Sequence, residues 1–136
     1  MEGEKKKILI VDDDNFLLDM YALKFSQNKF EVHTAQSGAG VLEKLHGGLK
    51  PDVMLIDIIM PEMDGFEALA QINKENLIPT CAKIILSNKS EQRDIEQGQK
   101  LGVAGYIVKA SSTPAEVIAQ VVKILEARQP AKTIPS

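Results

Sequence analysis

The sequence predicts an α/β protein: a five-stranded parallel sheet with helices on both faces. Three observations lead there. Short apolar runs alternate five times with segments of helical periodicity, the pattern of a parallel sheet built from right-handed crossovers. The runs Ile8–Val11 and Val53–Ile56 are apolar at every position, which suits strands covered on both sides. Acids follow both runs directly, Asp12-Asp13-Asp14 after the first and Asp57 after the second. In one parallel sheet those acids meet at the carboxyl edge, where open α/β sheets bind ligands.

Residues 1–6 read as a polar tail, and residues 7–128 as one domain. Lys7 to Val11 is the first strand. Asp14 or Asn15 can cap the following helix. Phe16, Met20 and Leu23 recur at helical spacing beside Leu17 and predict its inward face, with an end near Asn28. Phe30 to Ala35 is the second strand. After Ser37-Gly38, a short helix carries Val41, Leu42 and Leu45 and stops at Gly47-Gly48. The third strand runs from Val53 to Asp57. Met60-Pro61 and Asp64-Gly65 mark the loop after it. Gly65 to about Glu75 is the third helix, with Phe66, Leu69 and Ile72 inward. Lys83 to Ser87 is the fourth strand.

Residues 91–101 predict a loosely held helix. Ile95 and Leu101 are its only large apolar residues, and Gly98 lies inside it at about 1 kcal/mol relative to Ala. Gly105 to Lys109 is the fifth strand. Thr113-Pro114-Ala115-Glu116 then combines an N-cap, a first-turn proline and a capping box. The last helix carries Val117, Ile118, Val121, Val122, Ile124 and Leu125. Residues 129–136 read as a flexible tail or the start of a linker.

Composition excludes several classes. The 136 residues carry a formal net charge of -3, and the one basic run is Lys5-Lys6-Lys7, so nucleic-acid binding is not expected. No apolar run approaches the roughly 18 residues of a membrane span, and no secretory leader is visible. Cys81 is the single cysteine, expected as a small buried hydrophobe. These features fit a cytoplasmic protein, monomeric or weakly dimeric.

Asp12, Asp13, Asp57, Ser87 and Lys109 all follow predicted strands on the carboxyl side. Clustered carboxylates repel, and a divalent cation makes such a cluster tolerable. An oxygen-only ligand set favours Mg²⁺ or Mn²⁺. Mg²⁺ completes its shell with water and phosphate oxygens. Lys109 and Ser87 opposite the metal would then receive a phosphoryl group, with Asp57 as the nucleophile. Charge supports this. Phosphorylation of Asp57 replaces one negative charge with roughly two, and three acids then total about four, of which Mg²⁺ and Lys109 offset three. Plainer roles exist for each residue: capping for the acid run, a turn for Asp57, a loop cap for Ser87, a solvated strand end for Lys109 and static core for Tyr106. His33 and His46 read as surface residues.

With these residues in view, residues 7–127 resemble a response-regulator receiver domain of two-component signalling. The resemblance lies in Val11-Asp12-Asp13, Asp57-Ile58-Ile59-Met60-Pro61 with Asp64-Gly65, Leu86-Ser87, and Tyr106-Ile107-Val108-Lys109. It implies a flavodoxin-like sheet of order 2-1-3-4-5 and Mg²⁺-dependent transfer from a phosphohistidine on a sensor histidine kinase or phosphotransfer protein to Asp57. It further implies Asp13 and Asp57 as direct metal ligands, Asp12 partly through water, and the backbone carbonyl of Ile59. Ser87 and Tyr106 would be switch residues, and the face of the fourth helix, fifth strand and fifth helix would change its preference for a downstream protein. Such a protein modifies only itself and is not a turnover enzyme.

The sequence departs from the family at three positions. Ala110 follows Lys109 where the family usually has a proline in a cis peptide, so a trans bond, or a strained cis one, is expected. Asn88 follows the switch serine, and Ile59 is apolar; both would restrict water and lengthen the life of an acyl phosphate. Two other readings compete: a degenerate receiver acting only as a protein-binding module, supported by Ala110, and a Mg²⁺-dependent phosphatase with an Asp nucleophile. A flavin-binding variant of the fold lacks a Ser- and Thr-rich phosphate loop after the first strand.

Overall fold

All five expected strands form, and all pair in parallel. The computed structural model describes residues 5–128. The strands are β1 (Lys7–Val11), β2 (Glu31–Ala35), β3 (Val53–Ile56), β4 (Ala82–Ser87) and β5 (Gly105–Val108). They lie in the order β2-β1-β3-β4-β5. The helices are α1 (Asn15–Gln27), α2 (Gly38–His46), α3 (Gly65–Lys74), α4 (Gln92–Lys100) and α5 (Pro114–Ala127). The anticipated tail at 129–136 lies outside the described residues. No helix among the described residues is long and apolar enough to cross a membrane.

Strand alternation divides the core into two layers. Leu9, Val11, Met54, Ile56 and Ile85 face one side, against Val41 and Leu45 of α2 and Phe66, Leu69 and Ile72 of α3. Ile8, Ile10, Leu55, Ile84 and Leu86 face the other, against Leu18 and Phe25 of α1 and Val117 and Val121 of α5. Both surfaces of the central strands are therefore covered, which is why their sequences are apolar throughout rather than alternating.

The expected inward face of α1 is corrected. Phe16 is 78% exposed and Leu23 57%, whereas Leu18, Tyr21 and Phe25 are buried. Two stripes of helical spacing compete on this helix. The one that wins ends in Phe25, whose ring packs edge-to-face on Phe30 at the entrance to β2, with centroids 5.2 Å apart. That contact lies outside the helix, beyond the reach of its own periodicity.

The fourth helix forms where expected and buries little. Its buried residues are Asp94 and Gly98, while Ile95 and Leu101 are half-buried. Gly98 is more than a weak point. A Cβ there would lie 3.0 Å from Ile85 Cδ1 and 3.3 Å from Val103 Cγ2, so the glycine lets α4 approach the sheet closely. The fifth strand ends one residue early, at Val108. Lys109–Ser111 form a short 3₁₀ turn, and the Lys109–Ala110 peptide bond is trans. Thr113 caps α5 as expected: its hydroxyl accepts from the Glu116 amide at 3.1 Å, and Glu116 accepts from the Thr113 amide at 2.8 Å.

Candidate functional site

The parallel register brings the acids together. Val11 pairs with Ile56, so the residues that follow them, Asp12 and Asp57, leave neighbouring strands at one edge. The Asp57 amide donates to the Val11 carbonyl at 3.0 Å, and the Asp12 amide to the Ala35 carbonyl at 3.2 Å. On the other side of β3, Ser87 pairs with Val108, which aims Lys109 back over the same edge.

One carboxylate oxygen from each of Asp12, Asp13 and Asp57 lies within 4.8 Å of the other two. Asp12 and Asp57 are buried and Asp13 is exposed. The Lys109 ammonium bridges the buried pair, 2.7 Å from Asp12 Oδ2 and 2.8 Å from Asp57 Oδ2. Asp12 Oδ1 accepts from the Asp14 amide at 2.9 Å, and Asp57 Oδ1 from the Ile59 amide at 3.1 Å. Asp14 has the separate task of capping α1, accepting from the amides of Phe16 and Leu17. The capping role thus falls on one acid of the three and leaves two for the corner.

With three acids around one lysine, the cluster has a surplus of negative charge. Burial raises the Asp12 carboxyl above its ordinary range, and the Lys109 ammonium and the Asp14 amide offset only part of that. Burial alone would lower the Lys109 pKa. The hydrogen bonds and charges of Asp12 and Asp57 outweigh it, so the pKa ends above the usual lysine value. The first direction follows from burial, and the second from the two carboxylates that hold the ammonium. A hard divalent cation fits this donor set, since several oxygens converge with too little positive charge to balance them.

Ser87 is fully buried at the end of β4. Its Oγ accepts from the Lys89 amide at 3.3 Å. Tyr106, half-buried, donates its hydroxyl to the Lys89 carbonyl at 2.6 Å. Burial, with the charges of Asp94 and Asp57, pushes the Tyr106 phenol up to about 12. Ile59 stands 56% exposed beside Asp57, and Asn88 is exposed.

Sequence reasoning left Asp64-Gly65 without a role, and the structure supplies one. Asp64 caps α3 in a reciprocal box with Glu67. Gly65 donates to the Ile58 carbonyl at 2.8 Å, and a Cβ on it would lie 2.4 Å from the Asp57 carbonyl oxygen. The glycine is the only residue type that lets α3 press against the backbone of Asp57. Lys89 and Asp94 were also missed; the signal was an acid three residues after Glu91, at the start of a predicted helix. His33 and His46 pair with Glu31 and Glu75, each at 2.7 Å. Burial pushes the Cys81 thiol up to about 12, consistent with an inert core residue.

Fold and site together define a phospho-accepting signalling domain, and comparison with known proteins agrees. The sequence profile of the response regulator receiver domain matches residues 8–122, and the chain belongs to that family. It is 38% identical over 104 residues to the chemotaxis protein CheY of Listeria monocytogenes, covering 76% of this chain and 85% of that one. It is 33% identical over 120 residues to the alkaline phosphatase synthesis transcriptional regulatory protein PhoP of Bacillus subtilis, covering 88% of this chain. The chain spans 48% of that regulator's length. A CheY-like receiver domain from Methanospirillum hungatei superposes with a TM-score of 0.83 at 27% identity, covering 91% of this chain and 96% of that one.

Proposed function

We propose that Asp57 accepts a phosphoryl group from a phosphohistidine on a sensor kinase or phosphotransfer protein, and that this modification switches partner binding. The observation that carries the reading is the Lys109 ammonium, seated between Asp12 and Asp57 in a corner that still has a surplus of acids. In the transfer, an Asp57 oxygen bonds to phosphorus as the phosphorus–nitrogen bond breaks, and the departing imidazole keeps the electron pair. Asp12, Asp13 and Asp57, with the Ile59 carbonyl, would hold Mg²⁺ or Mn²⁺. The cation supplies the positive charge that allows an anionic donor to approach carboxylates.

Lys109 then has a new partner. Its ammonium neutralises a phosphoryl oxygen in place of the Asp57 oxygen it now contacts. Ser87 suits the opposite side. Its oxygen accepts from Lys89 and its proton is free to donate to the phosphoryl group. Tyr106 shares Lys89 with Ser87, which supports a coupled pair reporting to the face of α4, β5 and α5. The chain acts on itself and turns over no other substrate.

Intact mass after incubation with Mg²⁺ and acetyl phosphate or phosphoramidate tests the reading. The expected result is a gain of one phosphoryl group, lost without Mg²⁺ and lost in Asp57→Asn. Modification persisting in Asp57→Asn would overturn the assignment. With Ile59 and Asn88 at the mouth, the acyl phosphate is expected to last many minutes once the donor is removed; decay within seconds would refute their role in restricting water.

A further inference from the structure

Lys89, in the segment between β4 and α4, is held from three elements at once. Its amide donates to Ser87 Oγ of β4, its carbonyl accepts from the Tyr106 hydroxyl of β5, and its ammonium lies 3.7 Å from Asp94 Oδ1 of α4. Asp94 is the unusual member. It is 5% exposed, in a helix whose only other buried residue is a glycine. Its other oxygen accepts from the Glu91 amide at 3.2 Å. A carboxylate buried to this degree needs a compensating charge. The helix N-terminus provides part of it. Lys89 provides the rest, and doing so draws its side chain towards α4.

We propose that Asp94 is a positioning residue that fixes Lys89, and through Lys89 sets where Ser87 and Tyr106 stand before phosphorylation. This rests on the reading of Ser87 and Tyr106 as switch residues. The physical basis is that three contacts share one residue. The Lys89 amide and carbonyl lie in successive peptide planes joined at its Cα, so a displacement of that Cα, which the tethered side chain restrains, moves both contacts together. Releasing the tether frees both ends. Gly98 adds to the coupling: a Cβ there would lie 3.5 Å from Tyr106 Cδ2, so the same helix that carries Asp94 lies against the tyrosine ring.

The sequence makes the test direct, because it contains two tyrosines. Tyr21 is buried in the opposite layer and serves as an internal control for Tyr106. The protein is labelled with 3-fluorotyrosine and followed by fluorine NMR without any phosphoryl donor. Asp94→Asn keeps an oxygen for the Glu91 amide but removes the charge; Lys89→Met removes the charge from the other side. Each is expected to shift or split the Tyr106 resonance and leave Tyr21 in place. The double variant should go no further than the larger single one, and Lys89→Arg should restore the wild-type spectrum. Unchanged Tyr106 resonances in both single variants, or shifts that add in the double, overturn the proposal.

Lys89 is partly exposed, so Lys89→Met carries the test even if Asp94→Asn folds poorly. In parallel, the rate of phosphorylation by acetyl phosphate is expected to change by a common factor of at least about 3 in both single variants, a 0.65 kcal/mol effect at about 0.59 kcal/mol per RT. An unchanged rate overturns the link to the switch. If the wild-type chain takes no phosphate, the phosphoacceptor reading fails while the fluorine spectra still decide the positioning.

Discussion

Helices α3 and α4 have the same start and opposite holds on the sheet. Each follows a strand whose end belongs to the corner, and each has an acid at its third position, Glu67 and Asp94, that accepts from the amide of the capping residue. Beyond that they diverge. Helix α3 buries Phe66, Ala68, Leu69 and Ile72, and Gly65 seats it against the Asp57 backbone. Helix α4 buries a carboxylate and a glycine. Capping chemistry decides where a helix begins; the face it buries decides how firmly it stays. Asp57 thus rests against a helix with a broad apolar hold, and the Ser87–Tyr106 side against one with little apolar hold.

The contrast can be broken most severely at Gly65. Gly65→Val forces a side chain into the Asp57 and Ile58 backbone, and a loss of about 3 kcal/mol or more is expected in urea unfolding. Leu69→Ala should cost about 3 kcal/mol, since it empties a fully buried position. Ile95→Ala on α4 should cost under about 1 kcal/mol. Equal losses from the two truncations would abolish the distinction. Amide exchange sharpens it without mutation: α4 is expected to open with a free energy about 2 kcal/mol below that of α3. Gly98→Ala is a finer probe. It gains about 1 kcal/mol of helix propensity and meets the flexible end of Ile85, so its net effect should lie within about 1 kcal/mol of zero.

The smallest effect is the pH dependence, which isolates the corner from both helices. The folded pKa of Asp12 lies above the ordinary 3.8, so its anion costs stability at neutral pH. That cost is relieved as pH falls through the folded value. Lys109 has the opposite sign. Its folded pKa lies above 10.5, and its stabilisation is complete below that and lost as pH climbs through the folded value. Unfolding curves of the wild type and Asp12→Asn across this range should differ on the acid limb and agree in the direction of the alkaline loss.

Much of this was legible in the chain itself. Strands covered on both faces announce themselves by unbroken apolar runs, and acids placed directly after them can only converge at one edge. Thr113-Pro114-Ala115-Glu116 and its capping box are purely local, and they formed as read. What could not be read depended on contacts between distant segments. The face of α1 was chosen by Phe30, outside that helix. Gly98 looked like a defect because its reason, Ile85, belongs to a strand. Lys89 and Asp94 are ordinary surface residue types until the loop places Tyr106 against the same backbone unit. The Lys109 turn, with Ala110 in a trans bond, still delivers its ammonium to both carboxylates.

The corner also has a history in time. Asp12, Asp13 and Asp57 belong to the first half of the chain, whereas Lys109 is 97 residues from Asp12 and 52 from Asp57. At typical synthesis rates, the 52 residues between Asp57 and Lys109 take about 3 to 10 s to emerge from a ribosome. Throughout that interval the nascent chain has three acids to gather and no internal cation at the site to gather them around. Docking of β5 therefore completes the sheet edge and brings the ammonium between Asp12 and Asp57 in one event, so the last strand produced supplies the positive charge that the first ones lack.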